Sequence, residues 1–419
     1  MSQFAIAVTW GLKEPAYSCS PLMPALGQFF PKELDDLREK VADAHASHGS
    51  EISFYWCFPF WALAANFVSQ EILVAGLFDF ERLGRKPDLI LLVDLPQKRA
   101  ELEKIQRRHP GVPVVLMVAE TPLERQSQHH CINLKGFAAV VSYNQQLISH
   151  CSNGFLGNLP FRFHRSAEVE HLRVQSPLSR RHRCTYVGNA HSSGWRRNYQ
   201  YELGWRGWPL LWQYLQGWRL PISSAWCDEW HGGYGVRSAA VVAARRVFGD
   251  GFWLSGRGWD SGGSGWLSRW FPDRRMCLQS QELGLHPGSK IALLCDSTFT
   301  LVCENYLGEP GYISEKVFDA MAAGSIPIYI GAKGSLSLQL RDFVIDLSDL
   351  PRHVLYSSHR LAMLLRDVAS MPEHELEDRQ QRCLAFMDRY YEEQFGLAPF
   401  LHTFDQVLER LIDADFADC

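Results

Sequence analysis

The sequence predicts an α/β protein of two Rossmann-like domains, and three observations carry that prediction. Its 419 residues are enough for two separate cores. Short apolar runs alternate with charged helical segments through the first third of the chain, the pattern of βαβ units. Finally, Ile291–Gly331 reads as strand, polar loop, helix and strand, with the loop at the strands' carboxyl ends, where open α/β sheets bind ligands. A hydrophobic content of 46% with 21% charged residues is that of a globular protein rather than a disordered one.

Taken in order, residues 1 to about 90 say least. Trp56–Phe78 is aromatic and apolar and reads as a buried helix. Arg85–Pro96 follows as a basic turn, a buried strand and a loop. Lys98–Pro110 is a charged helix stopped by His109-Pro110, and Val112–Pro122 is a second buried strand running into a polar loop. Gly136–Asn144 adds a short strand. Glu120, Thr121 and Pro122 stand at a strand's carboxyl end, where Glu120 is expected to face an interdomain cleft or to cap the next helix. His164–Arg183 is polar and basic without apolar periodicity, so it reads as a linker. Cys184–Ser193 opens a second domain with a new strand.

Trp205, Trp208 and Trp212 recur at helical spacing, and Trp218, Trp226 and Trp230 follow. Core packing is their expected role; the same aromatic density also suits stacking on sugar rings or a peripheral membrane contact. Arg245–Asp260 is a helix end, a strand and a glycine-rich turn in which Gly256 allows a ligand close to the backbone. Ser255–Trp259 is not a P-loop. Phe343–Leu350 is a last short strand, and amphipathic helices follow.

Cys303–Gly331 concentrates the chemistry. Ser314 is placed as a helix N-cap; Val317, Ala320, Met321 and Gly324 give that helix one close-packing face, with Gly324 as its stop. A helix N-terminus attracts phosphate through its free N–H groups, and Lys316 in the first turn adds a full charge. Glu315 suits sugar or ribose hydroxyls better than phosphate.

Glu304-Asn305, the pattern Y-x-[ST]-E-K at Tyr312–Lys316 and IP-x-Y-x-G at Ile326–Gly331 together resemble the donor-binding signature of the α-1,3-fucosyltransferases, in their soluble bacterial form. The resemblance implies a GT-B fold, with two Rossmann-like domains facing a central cleft, and inverting transfer of fucose from GDP-fucose to a hydroxyl of an acceptor glycan. It implies donor contacts from Glu304, Asn305, Tyr312, Ser314, Glu315 and Lys316, and makes Glu120 the catalytic base. Val187-Gly188-Asn189 with Arg196-Arg197-Asn198 resembles the family's V-S-N…R-N element, so Asn189 joins the donor site and Arg197, or else Arg196, holds the pyrophosphate. The implied domains are 1–170 for the acceptor, 183–385 for the GDP-sugar, and helices at 386–419 that pack back on the first domain.

The chain departs from the family at Cys303, where an aromatic is usual, at Tyr306, and in a gap to Tyr312 that is one residue longer. These positions are expected near the sugar, so another GDP- or UDP-hexose is the alternative donor, and a non-catalytic nucleotide-sugar-binding protein the alternative class. A dinucleotide oxidoreductase is disfavoured because no G-x-G-x-x-G follows a strand. No metal or other cofactor is expected: the only D-x-D, Asp413–Asp415, lies near the end of the chain, where a frayed tail makes a poor ligand cage.

A net charge of −4 gives no case for nucleic acid. No stretch approaches the roughly 18 to 20 apolar residues of a membrane span. The N-terminus lacks a signal peptide's basic and apolar regions, which points to a cytoplasmic protein. The 11 cysteines, an odd number without C-x-x-C pairs, read as reduced buried thiols, with Cys295 and Cys303 in the core.

Overall fold

The computed structural model describes residues 4–9, 59–189, 233–256, 259 and 289–417, apart from short breaks at 61, 65, 68–71, 83, 97–98, 122–125, 130, 161–166, 309–310, 335 and 337. The chain divides into two compact units, Met1–Arg162 with Tyr391–Cys419, and Phe163–Tyr390.

The first unit is built on strands β1 (Ala5–Thr9), β2 (Leu73–Gly76), β3 (Leu89–Val93), β4 (Val114–Val118), β5 (Ala139–Ser142) and β6 (Gly154–Leu156). They form one parallel sheet in the order β2-β1-β3-β4-β5-β6. β3 and β4, LILLV and VVLMV, are buried at every position because both faces of the sheet are covered, which is why they read as continuous aliphatic runs. On one face Leu91, Met117 and Val141 meet Phe60, Leu63 and Phe67, together with Phe400, Phe404 and Val407 of the helix Leu397–Ala417. On the other, Ile90, Leu116 and Val140 meet Phe80 of α1 (Leu77–Arg82), Ile105 of α2 (Arg99–Arg108) and Leu147 of α3 (Gln145–Ser149). Alternate residues of each strand thus serve opposite layers.

The second unit has α4 (Ala167–Arg173), β7 (His182–Val187), α5 (Gly233–Phe248), β8 (Phe252–Ser255), α6 (Ser289–Cys295), β9 (Ser297–Cys303), α7 (Glu315–Ala322), β10 (Ile326–Ile330), β11 (Ile345–Asp346), α8 (Ser358–Ala369) and α9 (Glu373–Arg389). Its parallel sheet runs β11-β10-β9-β7-β8. Val236, Ala240 and Ala243 of α5, with Leu361 and Leu365 of α8, pack on Tyr186, Phe299 and Ile328. Val169 of α4, Ile291 and Leu294 of α6 and Ala323 form a separate cluster. Two Rossmann-like parallel sheets are the pair of units that makes up a GT-B fold.

Numbered from its own first strand, each sheet contains the order 2-1-3-4-5. The chain reverses its direction of travel across the sheet between β1 and β3 in the first unit and between β7 and β9 in the second. At such a switch point the loops leaving adjacent strands part, and the crevice at the carboxyl ends takes ligands.

Several local expectations are corrected. The apolar stretch Trp56–Phe78 is helical at its described residues from 59 to 67, but its end, Leu73–Gly76, is a strand; a four-residue apolar run carries no period that separates the two. Likewise Ile291–Val302 begins as helix α6 before becoming β9. The last helix runs through Asp413–Asp415 to Ala417. The tryptophans from Trp205 to Trp230 lie outside the described residues. No described helix is long and apolar enough to cross a membrane.

His164–Arg183 is not a linker. It contains α4, and two of its arginines, Arg173 and Arg180, are buried. Arg180 donates to the carbonyls of Ser297 (2.9 Å), Ala323 (3.3 Å) and Arg173 (2.9 Å), joining the start of β9, the end of α7 and the end of α4. Burial lowers its pKa from 12.5 to about 10, so it stays charged at neutral pH. Beside it Gly324, at φ +64°, ends α7, and an added Cβ there would stand 2.2 Å from the Arg173 carbonyl. Gly324→Ala is therefore expected to cost about 2–4 kcal/mol in urea unfolding, from left-handed strain plus overpacking. Gly84→Ala, at nearly the same φ of +63° but with nothing within 4 Å, should cost only about 1 kcal/mol.

Candidate functional site

At the switch point of the second unit, β7 leads into Gly188-Asn189 and β9 into Glu304-Asn305. Between these two exits lies Arg237, from the second turn of α5, only 3% exposed. Its guanidinium donates to the carbonyl of Asn189 (3.2 Å), to the carbonyl of Cys303 (3.4 Å) and to Oδ1 of Asn305. The N-terminus of α5 is fastened to the same loop, because the Gly233 N–H donates to the Asn305 carbonyl at 2.9 Å. Gly233 has to be glycine: a Cβ would fall 2.0 Å from the Glu304 carbonyl. A buried guanidinium and the positive end of a 16-residue helix thus share one crevice with the Asn305 loop.

The opposite wall is the Glu304–Lys316 loop and the start of α7. Ser314 caps the helix, its hydroxyl accepting from the Lys316 N–H (3.4 Å) and from Lys316 Nζ (3.0 Å). Glu315 is half-buried. Burial pushes its carboxyl upward, but Lys316 first, then Lys290 and Arg237, outweigh that and hold it below the usual range. Lys290 itself pairs with Asp319 at 2.5 Å, tying α6 to α7. Tyr312 is half-buried on the loop.

Glu304 differs from the expectation of a donor contact. Its side chain is fully buried, and Oε1 accepts from the Ser314 N–H at 2.9 Å, so it closes the loop from inside. Burial raises its pKa against the pull of Lys316, whose Nζ is 3.8 Å from Oε2. At Gly256, φ +134°, the side-chain direction is filled by protein backbone: an added Cβ would stand 2.2 Å from the Gly188 carbonyl. The residues expected near the sugar by departure from the family, Cys303 and Tyr306, are both buried, and the Cys303 thiol is pushed up to about 12 by burial. Arg196 and Arg197 lie outside the described residues. The cation that is found between Asn189 and Asn305, Arg237, is one the spacing did not single out.

Glu120 lies in the first unit, two residues beyond β4 and half-buried. Both of its main-chain groups are tied. Its N–H donates to Oδ1 of Asp94 at 2.9 Å, and its carbonyl accepts from Gln128 Nε2 (3.1 Å) and His129 Nε2 (2.8 Å). Because a carbonyl can only accept, His129 carries its proton on Nε2. Asp94 follows β3 at φ +59°, the only positive-φ residue other than glycine among those described, at a cost on the order of 1–2 kcal/mol. Among the described residues no group of three or more His, Cys, Asp or Glu side chains is placed to hold a metal ion.

No family model matches the chain, and no curated protein is found similar to it. Among solved structures, the N-terminal domain of Candida albicans trehalose-6-phosphate phosphatase is similar with a TM-score of 0.50 at 8% identity, over 98% of this chain and 97% of that one. An α1,3-fucosyltransferase is similar with a TM-score of 0.48 at 13% identity, over 97% and 90%. An α-glucosyltransferase in complex with UDP-glucose and DNA containing an abasic site reaches 0.42 at 11% identity, over 97% and 99%. At such identities a likeness reaches no further than the fold.

The buried Glu304 gives a pH signature. Its folded pKa lies above the ordinary glutamate value, so the folded protein holds this proton more tightly than the unfolded chain. The ionised side chain therefore costs stability above the folded pKa, and the cost disappears as pH falls below the unfolded value. Glu304→Gln, which still offers an oxygen to the Ser314 N–H, should melt higher than the parent at pH 7 and converge with it toward pH 4. Equal melting temperatures across that range would show that the carboxylate is not penalised by burial.

Proposed function

We propose that this chain is a glycosyltransferase that uses a nucleotide diphosphate sugar, and that it transfers fucose from GDP-fucose to a hydroxyl of an acceptor glycan with inversion. The observation that carries the proposal is Arg237 between Asn189 and Asn305, at the switch point, beside the N-terminus of α5. A guanidinium fork, helix N–H groups and the Lys316 ammonium suit a diphosphate leaving group, whose charge grows as the glycosidic bond breaks. Glu315, Asn305 and Tyr312 offer acceptors and donors for ribose or sugar hydroxyls. The choice of GDP-fucose rests on the residue pattern over Glu304–Gly331, whose departures at Cys303 and Tyr306 fall on buried side chains.

In the proposed step the acceptor oxygen forms a bond to C1 of the fucose from the face opposite the phosphate, and the C1–O bond to GDP breaks. Glu120 takes the acceptor proton, and the negative charge leaves with GDP. No step calls for a metal: Arg237 and Lys316 supply the counter-charge. Glu304 and Ser314 shape the loop rather than touch the donor.

Titration calorimetry with GDP-fucose tests this directly. Arg237→Ala is expected to weaken binding by about 1.5–3 kcal/mol, the worth of hydrogen bonds to a charged group, and Lys316→Ala by about 1 kcal/mol or more. Arg237→Lys serves as the control if the alanine variant folds poorly; it should lose the fork and part of the affinity. Glu120→Gln should bind GDP-fucose as the parent does while transfer falls by about 10²-fold or more. Unchanged affinity in both Arg237 variants would contradict the donor site.

A further inference from the structure

The carboxyl end of the first sheet holds a buried carboxylate for which the proposed step has no use. Asp94 stands one residue beyond β3, at the switch point between β1 and β3. Its own N–H extends the ladder to the Met117 carbonyl at 2.8 Å, and the chain then turns through the left-handed region. A glycine would make that turn without strain. The aspartate adds an oxygen, Oδ1, that accepts from the N–H groups of Ala119 (2.8 Å) and Glu120 (2.9 Å) and from Gln128 Nε2 (2.7 Å). Gln128 is itself held, since its Oε1 accepts from the Leu95 N–H at 2.8 Å and its Nε2 also reaches the Glu120 carbonyl. Asp94 and Gln128 thus fix the residues on both sides of the Ala119–Glu120 peptide.

We propose that Asp94 is a positioning residue for Glu120: its buried carboxylate clamps the backbone from which the Glu120 side chain departs and so sets where that side chain can reach. This rests on the reading of Glu120 as the base. A clamp of this kind acts on the rate of proton removal and leaves donor binding alone, because Asp94 and the donor loop belong to different units of the chain. A residue that only staples a loop would alter melting and leave the rate per folded molecule unchanged.

The probe is GDP release from GDP-fucose with water as acceptor: water oxygen bonds to C1, GDP departs, and Glu120 takes the proton. Asp94→Gly removes the clamp and relieves the backbone strain, so kcat per folded molecule should fall on the order of 10²-fold, with KM for GDP-fucose unchanged. Asp94→Asn, which keeps an accepting oxygen and tolerates the left-handed conformation, should recover most of the rate. Should Asp94→Gly fold poorly, Gln128→Leu is expected to give the same split of kcat from KM. Parent-like kcat in Asp94→Gly or Gln128→Leu, with Glu120→Gln inactive, overturns the clamp and leaves the base in place. Parent-like turnover in Glu120→Gln overturns the base and the clamp together.

Discussion

A guanidinium buried at the carboxyl end of a parallel sheet sets the terms for the second unit. Arg237 cannot give up its proton, so its charge has to be met by oxygens drawn in from the exits of β7 and β9. Meeting it draws the Asn189 and Asn305 exits together at the point where the chain reverses direction across the sheet, and the Gly233 N–H ties the end of α5 to the same loop. In the proposed site a diphosphate would meet the positive charge that Arg237 and the nearby Lys316 bring to these exits.

The two ends of this sheet carry different work. At the amino ends of the strands Arg180 joins β9, α4 and α7 through their carbonyls, and Gly324 lets the chain pass so closely that no side chain fits. Those contacts fix the framework. At the carboxyl ends, polar side chains with shifted pKa values gather on loops, with the buried Glu304 fastening the Asn305–Ser314 segment from beneath. The first unit repeats the division: β3 and β4 are apolar throughout, and the polar residues Asp94, Glu120, Gln128 and His129 collect beyond their ends.

Much of this was legible in the sequence wherever the signal was local. LILLV, VVLMV and IPIYI stand out as strands because a parallel sheet covered on both faces favours near-continuous apolar runs, and Ser314 and Gly324 bound α7 as caps. Arg237 was missed because it is 48 residues from Asn189 and 68 from Asn305, while attention to spacing favoured the arginines that follow Asn189 at once. A signal was present: among Val236, Ala240, Val241 and Ala244, all buried, a lone arginine has to have partners. Asp94 was hidden for a similar reason, since its three donors come from 25 to 34 residues away and no propensity marks an aspartate that will take φ +59°. His164–Arg183 misled because its charge suggested solvent, whereas Arg180 spends that charge on buried carbonyls.

The central claim is that the crevice around Arg237 receives a guanosine diphosphate sugar, and ligand-dependent melting addresses it without knowledge of the acceptor. A ligand that binds only the folded state raises the melting temperature in proportion to the logarithm of its concentration over its dissociation constant. GDP and GDP-fucose should each raise it progressively with the logarithm of concentration, and UDP-glucose and UDP-galactose should leave it where it was. Stabilisation by a UDP-sugar, with none by GDP or GDP-fucose, would contradict the account.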